Sequence, residues 1–412
     1  MNIPTLLRIL LMTTLQSSLD AQPLSDVARE LFKSYPQFQH TEIRSRRFNQ
    51  SDLFRWLEPF RERGIFEISP VGQSGEGRMI SLLTVGRGPT KVLLWSQMHG
   101  DEPTATMALL DIFNFFAQAP DNAVAKKIRE NLTLLVIPML NPDGAERFQR
   151  RTAQLIDMNR DARVLGTHEA IALKTVRDTH QPQFGFNLHD QDPRYTVGNS
   201  KKVSAVALLA PAFDESRSDN VVRLRAKEVA ATLARTLNQF VEGHVSKYDD
   251  TFEPRAFGDN VQKWGTSTVL IESGGWPGDR DKMFIRKLNY VGLLTALYAV
   301  AGGEYQSSDI KAYDDLPLNT KNLYDLIIRK AQLKWSDTAP AISVDVGVNF
   351  DEQRDPVSGN IILSAKVVDV GDLSVFGAFE EIDLNNAPLD AKLIGIEKAI
   401  PMEYIQSLKK MK

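Results

Sequence analysis

The stretch that most constrains this chain is KVLLWSQMHGDEPTATMALL, residues 91–110. Its apolar start predicts a buried strand, and its second half predicts an amphipathic helix from about Pro103. The turn between them holds His99 and Glu102, three residues apart. Open α/β sheets bind ligands at the carboxyl ends of their strands, and zinc accepts imidazole nitrogen and carboxylate oxygen. The turn is therefore one candidate half of a metal site, the alternative being an ordinary polar turn.

Composition limits the chemistry that the chain can use. Its 412 residues include no cysteine, which excludes thiol catalysis, disulfides and zinc–thiolate sites. Histidine, aspartate and glutamate are then the strong metal ligands that are left. The formal net charge of −3 gives no reason to expect binding to nucleic acid or to an anionic membrane. No transmembrane segment is predicted, because no run approaches the roughly 20 apolar residues that span a bilayer.

The amino terminus has the parts of a secretory signal. Residues 1–22 contain one arginine, a short apolar stretch from Ile9, and small or polar residues around Ala21. We therefore predict a signal peptide over residues 1–22 and export to the periplasm or the medium. The alternative is a cytoplasmic protein with a frayed amphipathic leader.

The pattern of elements predicts an α/β fold with a smaller β domain. Residues 69–88 are typical of a hairpin, and strands then alternate with helices, which indicates a mixed, mostly parallel central sheet flanked by helices. This main domain is predicted over residues 23–305. A linker and a helix ending near Trp335 are predicted over residues 306–335, followed by a small β-rich accessory domain over 336–412. That tail contains no histidine, so we expect it to serve packing or substrate recognition and not the chemistry.

Polar motifs follow further apolar strands along the chain. NPDG begins at Asn141 directly after LTLLVIP, and RRTAQLIDMNRDA spans residues 150–162. His189 ends the apolar run FNLH, and Glu272 ends TVLIE. Taken singly, NPDG is explained as a turn, residues 150–162 as a solvated loop and His189 as a satisfied polar residue. A carboxylate that ends so apolar a strand, however, is costly to bury unless it has a partner or a function.

Taken in order, the motifs HxxE, NPDG, R–D-x-N-R, LH and a strand-terminal glutamate resemble the M14 zinc carboxypeptidases, the family that includes pancreatic carboxypeptidase A. The resemblance covers roughly residues 70–300 and implies that residues 23–305 form a catalytic domain of that fold. It further implies one zinc ion per chain, held by His99, Glu102 and His189 with water in the fourth position.

The same resemblance implies roles for other residues. Glu272 would be the general base, and Arg150 would stabilise the oxyanion, with Arg151 as the alternative one position away. Asp157 would orient His99 from outside the ligand set. Asn159 and Arg160 would bind the terminal carboxylate of the substrate, for which a guanidinium fork is well suited. Tyr248 would be the substrate-contacting tyrosine, the alternative being a loop aromatic, and the specificity position would fall near Phe257.

The sequence is thus interpreted as a zinc-dependent metallocarboxypeptidase that hydrolyses C-terminal peptide bonds. Its partner would be a peptide with a free terminal carboxylate. The first alternative is a zinc-dependent deacylase of N-acyl amino acids, of the aspartoacylase or succinylglutamate desuccinylase type. The second is a catalytically inactive binding protein in which the β domain carries the function.

Overall fold

A computed structural model describes residues 22–354 and 361–410. The predicted signal peptide, except for residue 22, lies outside the described residues. The helices are α1 Leu24–Phe38, α2 Gln50–Glu62, α3 Thr104–Gln118, α4 Ala123–Asn131, α5 Pro142–Arg147, α6 His168–His180, α7 Val221–Asn238, α8 Phe257–Lys263, α9 Met283–Gly302, α10 Lys311–Asp314 and α11 Met402–Lys409. The strands are β1 Glu67–Gln73, β2 Met79–Val85, β3 Thr90–Ser96, β4 Leu132–Ile137, β5 Phe184–Asp190, β6 Thr196–Val197, β7 Val206–Leu209, β8 Val245–Lys247, β9 Ser267–Ser273, β10 Asn319–Thr320, β11 Leu323–Leu333, β12 Ile342–Arg354, β13 Ile361–Gly371, β14 Gly377–Asp383 and β15 Ala399–Ile400.

The central sheet is mixed, as predicted. In the described part of the chain it has eight strands in the order β1-β2-β4-β3-β5-β9-β7-β8. The inner strands β4, β3, β5 and β9 run parallel to one another. The predicted hairpin is formed by β1 and β2, which pair antiparallel and place β1 at the edge. The predicted α/β class is therefore confirmed.

Helices cover both faces of this sheet because its inner strands are apolar on both sides. In β3, Val92 and Leu94 pack into a core that includes residues of α1, α2, α3, α7 and α9. Leu93 and Trp95 point the other way, into a second core with residues of α6 and α8. Successive side chains of a strand face opposite sides of a sheet, so this one strand contributes to both cores and is buried along its length. The turn after β3 is held firmly as a result.

The carboxy-terminal part of the chain forms a separate sheet of five strands in the order β14-β11-β12-β13-β15. Alternate residues of its strands form an apolar core of their own, against which Ile405 and Leu408 of α11 pack. A short ladder between β10 and β6 joins the segment before this sheet to the segment after β5. The predicted carboxy-terminal sheet domain is present.

One predicted element is wrong. We expected a helix ending near Trp335, but residues 323–333 form strand β11. Leu326 and Ile328 of this strand are fully buried and lie opposite Val348 and Val346 of β12. Its many Leu, Lys, Arg and Gln residues favour a helix locally, but pairing with a distant strand decides the conformation. The sheet therefore begins at Leu323 and includes residues that we had assigned to the linker and helix.

Among the helices in the described ranges, we found none with the length and apolar character needed to cross a membrane.

Candidate metal centre

Three neighbouring parallel strands bring the predicted metal ligands and the predicted base to one edge of the central sheet. His99 and Glu102 lie in the turn between β3 and α3, and His189 lies near the carboxyl end of β5. Glu272 lies near the carboxyl end of β9, directly opposite His189 in the register of β5 and β9. Because β5 pairs with β3 on one side and β9 on the other, the four side chains meet at a shared edge.

The candidate ligands converge on Glu102. Its Oε1 lies 2.7 Å from Nδ1 of His99, and its Oε2 lies 2.7 Å from Nδ1 of His189. One possible ligand atom from each of the three residues lies within 4.8 Å of the others. All three residues are buried, with at most 7% of their surface exposed. Two imidazoles and a carboxylate form a donor set that zinc accepts in catalytic sites.

A hydrogen bond with Asp157, which is not one of the three candidate ligands, fixes the orientation of the His99 ring. Burial alone would raise the pKa of Asp157, but the hydrogen bond and charge of His99 and the Arg150 guanidinium bring that pKa well below its usual value. Asp157 is then an ionised acceptor, so Nε2 of His99 donates to it at 3.1 Å. In the neutral ring the lone pair of Nδ1 consequently faces Glu102.

The centre requires a positive species between these atoms. The lone pair of His99 Nδ1 and the carboxylate of Glu102 would repel each other at 2.7 Å with nothing between them. Burial lowers the pKa of His99, but the charge of Glu102 and the hydrogen bonds with Asp157 and Glu102 raise it to about 9, so a proton on the ring can meet this need. A divalent cation meets the same need with the same donors. The residues present therefore fit a metal ion.

Arg150 reaches the centre from the solvent side. Its Nη1 donates to Glu102 Oε1 at 3.1 Å, and its Nε donates to Asp157 Oδ2 at 3.1 Å. Its side chain is 43% exposed, so the guanidinium borders the open side of the centre. Arg151 turns away and donates to the carbonyl of Leu155. Of the two arginines that we considered for the oxyanion role, the structure places Arg150 beside the candidate ligands.

Glu272 is buried next to a negatively charged group. Burial and the charge of Glu102 raise its pKa to about 8, against the smaller opposing effects of His99 and Lys282. A carboxylate with a pKa near neutrality can take and return a proton at physiological pH. Glu272 is therefore a buried carboxyl group that titrates close to neutral pH beside the candidate ligands.

Each of the predicted substrate-binding residues has a defined environment in the structure. Asn159 Oδ1 accepts a hydrogen bond from the backbone N–H of Phe257 at 2.9 Å. Arg160 lies with Nε 3.4 Å from Glu253 Oε2 and stays partly exposed. Burial and the charge of Glu272 raise the pKa of Tyr248 to about 12, while Arg150 and Arg160 oppose the shift. Tyr248 thus lies within electrostatic reach of Glu272, Arg150 and Arg160. Phe257 itself is fully buried, and its ring packs in the second core.

Lys282 is a residue of this site that the sequence reasoning missed. It precedes α9 in the left-handed conformation, with φ of 56°, and is buried. Its Nζ donates to the carbonyl of Ser273 at 2.9 Å and to that of Gln191 at 3.2 Å, and it pairs with Asp190 at 3.2 Å. It thereby ties together the ends of β5 and β9. A lysine in a loop before a helix carries no sequence signal that would distinguish it from a solvated one.

Comparisons with known proteins agree with this geometry. Residues 54–201 match the zinc carboxypeptidase model of peptidase family M14. Carboxypeptidase 2 of Trichophyton tonsurans is 26% identical over 151 residues, which cover 36% of this chain and 28% of the fungal protein. Carboxypeptidase SOL1 of Arabidopsis thaliana is 26% identical over 144 residues, which cover 33% of this chain and 29% of the plant protein. The match thus spans less than a third of the length of these curated relatives.

A solved structure supports the fold. Bovine thrombin-activatable fibrinolysis inhibitor, in complex with a tick carboxypeptidase inhibitor, superposes with a TM-score of 0.50 at 14% identity. The superposition covers 63% of this chain and 98% of the bovine chain. In the sequence of residues 54–201 and in its fold, the chain is therefore similar to the M14 zinc carboxypeptidases.

Proposed function

We propose that this chain is a zinc-dependent metallocarboxypeptidase that hydrolyses the C-terminal peptide bond of a peptide. The observation that carries the proposal is the convergence of His99, Glu102 and His189 at the edge of the sheet, beside a buried Glu272. We further propose that these three residues hold one zinc ion per chain. Such an ion lowers the pKa of a bound water towards about 7 and polarises a carbonyl.

Glu272 acts in this proposal as the general base and then as the general acid. Its pKa of about 8 suits both steps, because a group that titrates near the working pH can accept a proton and give it back. It takes the proton of the attacking water and delivers it to the leaving amine. Arg150 lies on the open side of the centre, where its positive charge supports the negative charge that develops on the carbonyl oxygen.

Asn159, Arg160 and Tyr248 are proposed to bind the C-terminal residue of the substrate. The guanidinium of Arg160 is 39% exposed and can form paired hydrogen bonds with a carboxylate. Its present partner, Glu253, also pairs with Arg255 and so stays compensated when the substrate displaces it. A substrate with a blocked terminal carboxylate should therefore bind poorly.

Metal content and substrate range test the proposal together. We expect about one zinc ion per chain in the wild type and in His168→Ala, whose histidine is exposed at the start of α6 and is not one of the converging ligands. His189→Ala should lose the zinc. The wild type should release C-terminal residues from blocked dipeptides in a chelator-sensitive manner. Cleavage of N-acyl amino acids alone would indicate the deacylase, which the comparisons do not favour. A folded wild type without zinc would refute both activities.

We also propose that the chain is exported, on the basis of the leader-like residues 1–22. Expression of the full chain in its host, followed by fractionation and mass spectrometry, should give a product that begins near Ala21 or Gln22. A full-length cytoplasmic product would contradict export.

A further inference from the structure

A cavity of about 730 Å³ opens beside Glu102 and lies between the two sheets. The central part of the chain contributes residues that directly follow the candidate centre, from Asp190 to Arg194 and from Gly275 to Lys282. The opposite side is formed by the carboxy-terminal sheet. The residues of that sheet that line the cavity are Asp325, Phe350, Asp351, Glu352, Leu363, Phe379 and Glu380. We call this lining the sheet wall.

Ion pairs hold the sheet wall in a defined position. Glu352 of β12 accepts hydrogen bonds from Arg47 Nε at 3.0 Å and from Arg280 Nε at 2.9 Å, and it pairs with Arg46 at 3.2 Å. These arginines come from the loop before α2 and the loop before α9, outside the carboxy-terminal sheet. Three arginines of the main part of the chain therefore anchor the sheet wall through Glu352.

The sheet wall presents three apolar side chains to the cavity, beside four carboxylates. The charged groups around the cavity largely compensate one another, as Glu352 does with its three arginines and Asp325 does with Arg194. Phe350, Leu363 and Phe379 are half-buried in the structure and lie among these pairs. Ligand sites in proteins commonly combine apolar walls with a few fixed polar groups.

The residues that line the cavity indicate which part of a bound peptide it can take. Asn159, Arg160 and Tyr248, which we propose to hold the terminal residue, are not among the described residues that line it. With the terminal residue held by those side chains and the scissile bond at the centre, the cavity beside Glu102 offers space for the upstream part of the peptide. We therefore propose that the sheet wall binds the residues upstream of the scissile bond and favours apolar side chains there. This inference rests on the proposed carboxypeptidase function.

Matched variants on neighbouring faces of the same strands test the inference. Phe350→Ala and Leu363→Ala remove apolar surface from the wall. Ile342→Ala in β12 and Ile362→Ala in β13 remove side chains that are each 46% exposed and do not line the cavity. The substrates are a blocked dipeptide and a tetrapeptide that ends in the same two residues and has leucine and phenylalanine upstream. Circular dichroism and melting curves check the folding of all four variants.

We expect the kcat/KM ratio of tetrapeptide to dipeptide to fall roughly tenfold in each wall variant, the size expected for lost apolar contacts in a binding pocket. The two control variants should keep the ratio of the wild type. Equal losses on both substrates, or an unchanged ratio in the wall variants, would overturn the inference.

Calorimetric binding of the same tetrapeptide separates this inference from the proposed function. If the wild type binds the tetrapeptide but does not hydrolyse it, the proposed function fails. The binding role of the sheet wall is then tested by affinity alone: Phe350→Ala should weaken binding roughly tenfold, and Ile342→Ala should not. A wild type that binds no peptide would overturn both proposals.

Discussion

At the scale of single residues, the candidate centre is built from charges that each have a defined partner. Glu102 lies between His99 and His189, and these two rings lower its pKa well below the usual value although burial opposes the effect. Asp157 and Arg150 complete the arrangement on the side open to solvent. A carboxylate buried among such partners stays ionised, which a metal ligand requires.

Arg150 and Arg151 provide a matched pair for the oxyanion role. Arg150→Met should lower kcat by roughly 10²–10³-fold with zinc content retained, since it removes a charge that acts on the transition state. Arg151→Met should leave kcat close to that of the wild type, because Arg151 donates to a carbonyl of its own loop. Steady-state kinetics and metal analysis of both variants decide the assignment. Equal losses in the two variants would contradict it.

Much of the candidate centre could be predicted from the sequence, because the patterns that identify its residues lie within short stretches of the chain. His99 and Glu102 share one turn, and each of His189 and Glu272 ends an apolar strand. The choice between Arg150 and Arg151 needed the structure, because adjacent residues of a loop can point in opposite directions.

At the scale of elements, the parallel strands β3, β5 and β9 make the site, since their carboxyl ends meet at one edge. Alternation and apolar runs predicted these strands. They did not predict β11, in which a helix-favouring composition is overruled by pairing with β12. They also did not predict Lys282, whose contacts with Ser273 and Gln191 depend on two strands far apart in the sequence. Contacts between distant segments are the part of the fold that local patterns do not contain.

Helix α8 carries a buried acid that should make stability depend on pH. Burial raises the pKa of Asp259 to about 7, from 3.8 in the unfolded chain. The folded state thus holds the proton of Asp259 more tightly, so the contribution of this group to stability is largest below about pH 4 and is lost as the pH rises through about 7. Asp259→Asn should remove this loss and stabilise the protein at pH 8 by up to roughly 4 kcal/mol.

Chemical denaturation between pH 4 and pH 8 measures this effect. The advantage of Asp259→Asn over the wild type should vanish near pH 4. The exposed Asp337→Asn serves as a control and should follow the wild type at every pH. An advantage of the same size at pH 4 and pH 8 would show that Asp259 does not titrate as described.

At the scale of the whole molecule, the two sheets are joined through Glu352. Burial opposes its ionisation, but Arg46, Arg47 and Arg280 lower its pKa to about 2 from 4.5. Because the pKa of Glu352 is lower in the folded than in the unfolded chain, its ionised carboxylate stabilises the folded state above about pH 4.5. This contribution is lost as the pH falls towards 2. Glu352→Gln should therefore destabilise the protein at pH 7 by about 2 to 3 kcal/mol and weaken its response to acid over that range.

Thermal unfolding at several pH values, with the exposed Glu403→Gln as the matched control, measures the contribution of Glu352. If Glu352→Gln unfolds at the same temperature as the wild type at pH 7, the three arginine contacts contribute nothing to the joining of the two sheets.

The proposed function depends on a zinc ion held by His99, Glu102 and His189, with Glu272 as the base. Glu272→Gln tests it most directly, because the substitution keeps the shape of the side chain and removes its ability to carry a proton. Metal analysis and the release of a C-terminal residue should be measured on this variant and the wild type side by side. We expect about one zinc ion per chain in both proteins and a loss of turnover of roughly 10²–10⁴-fold in the variant. Equal turnover in the two proteins, or a folded wild type that binds no zinc, would contradict it.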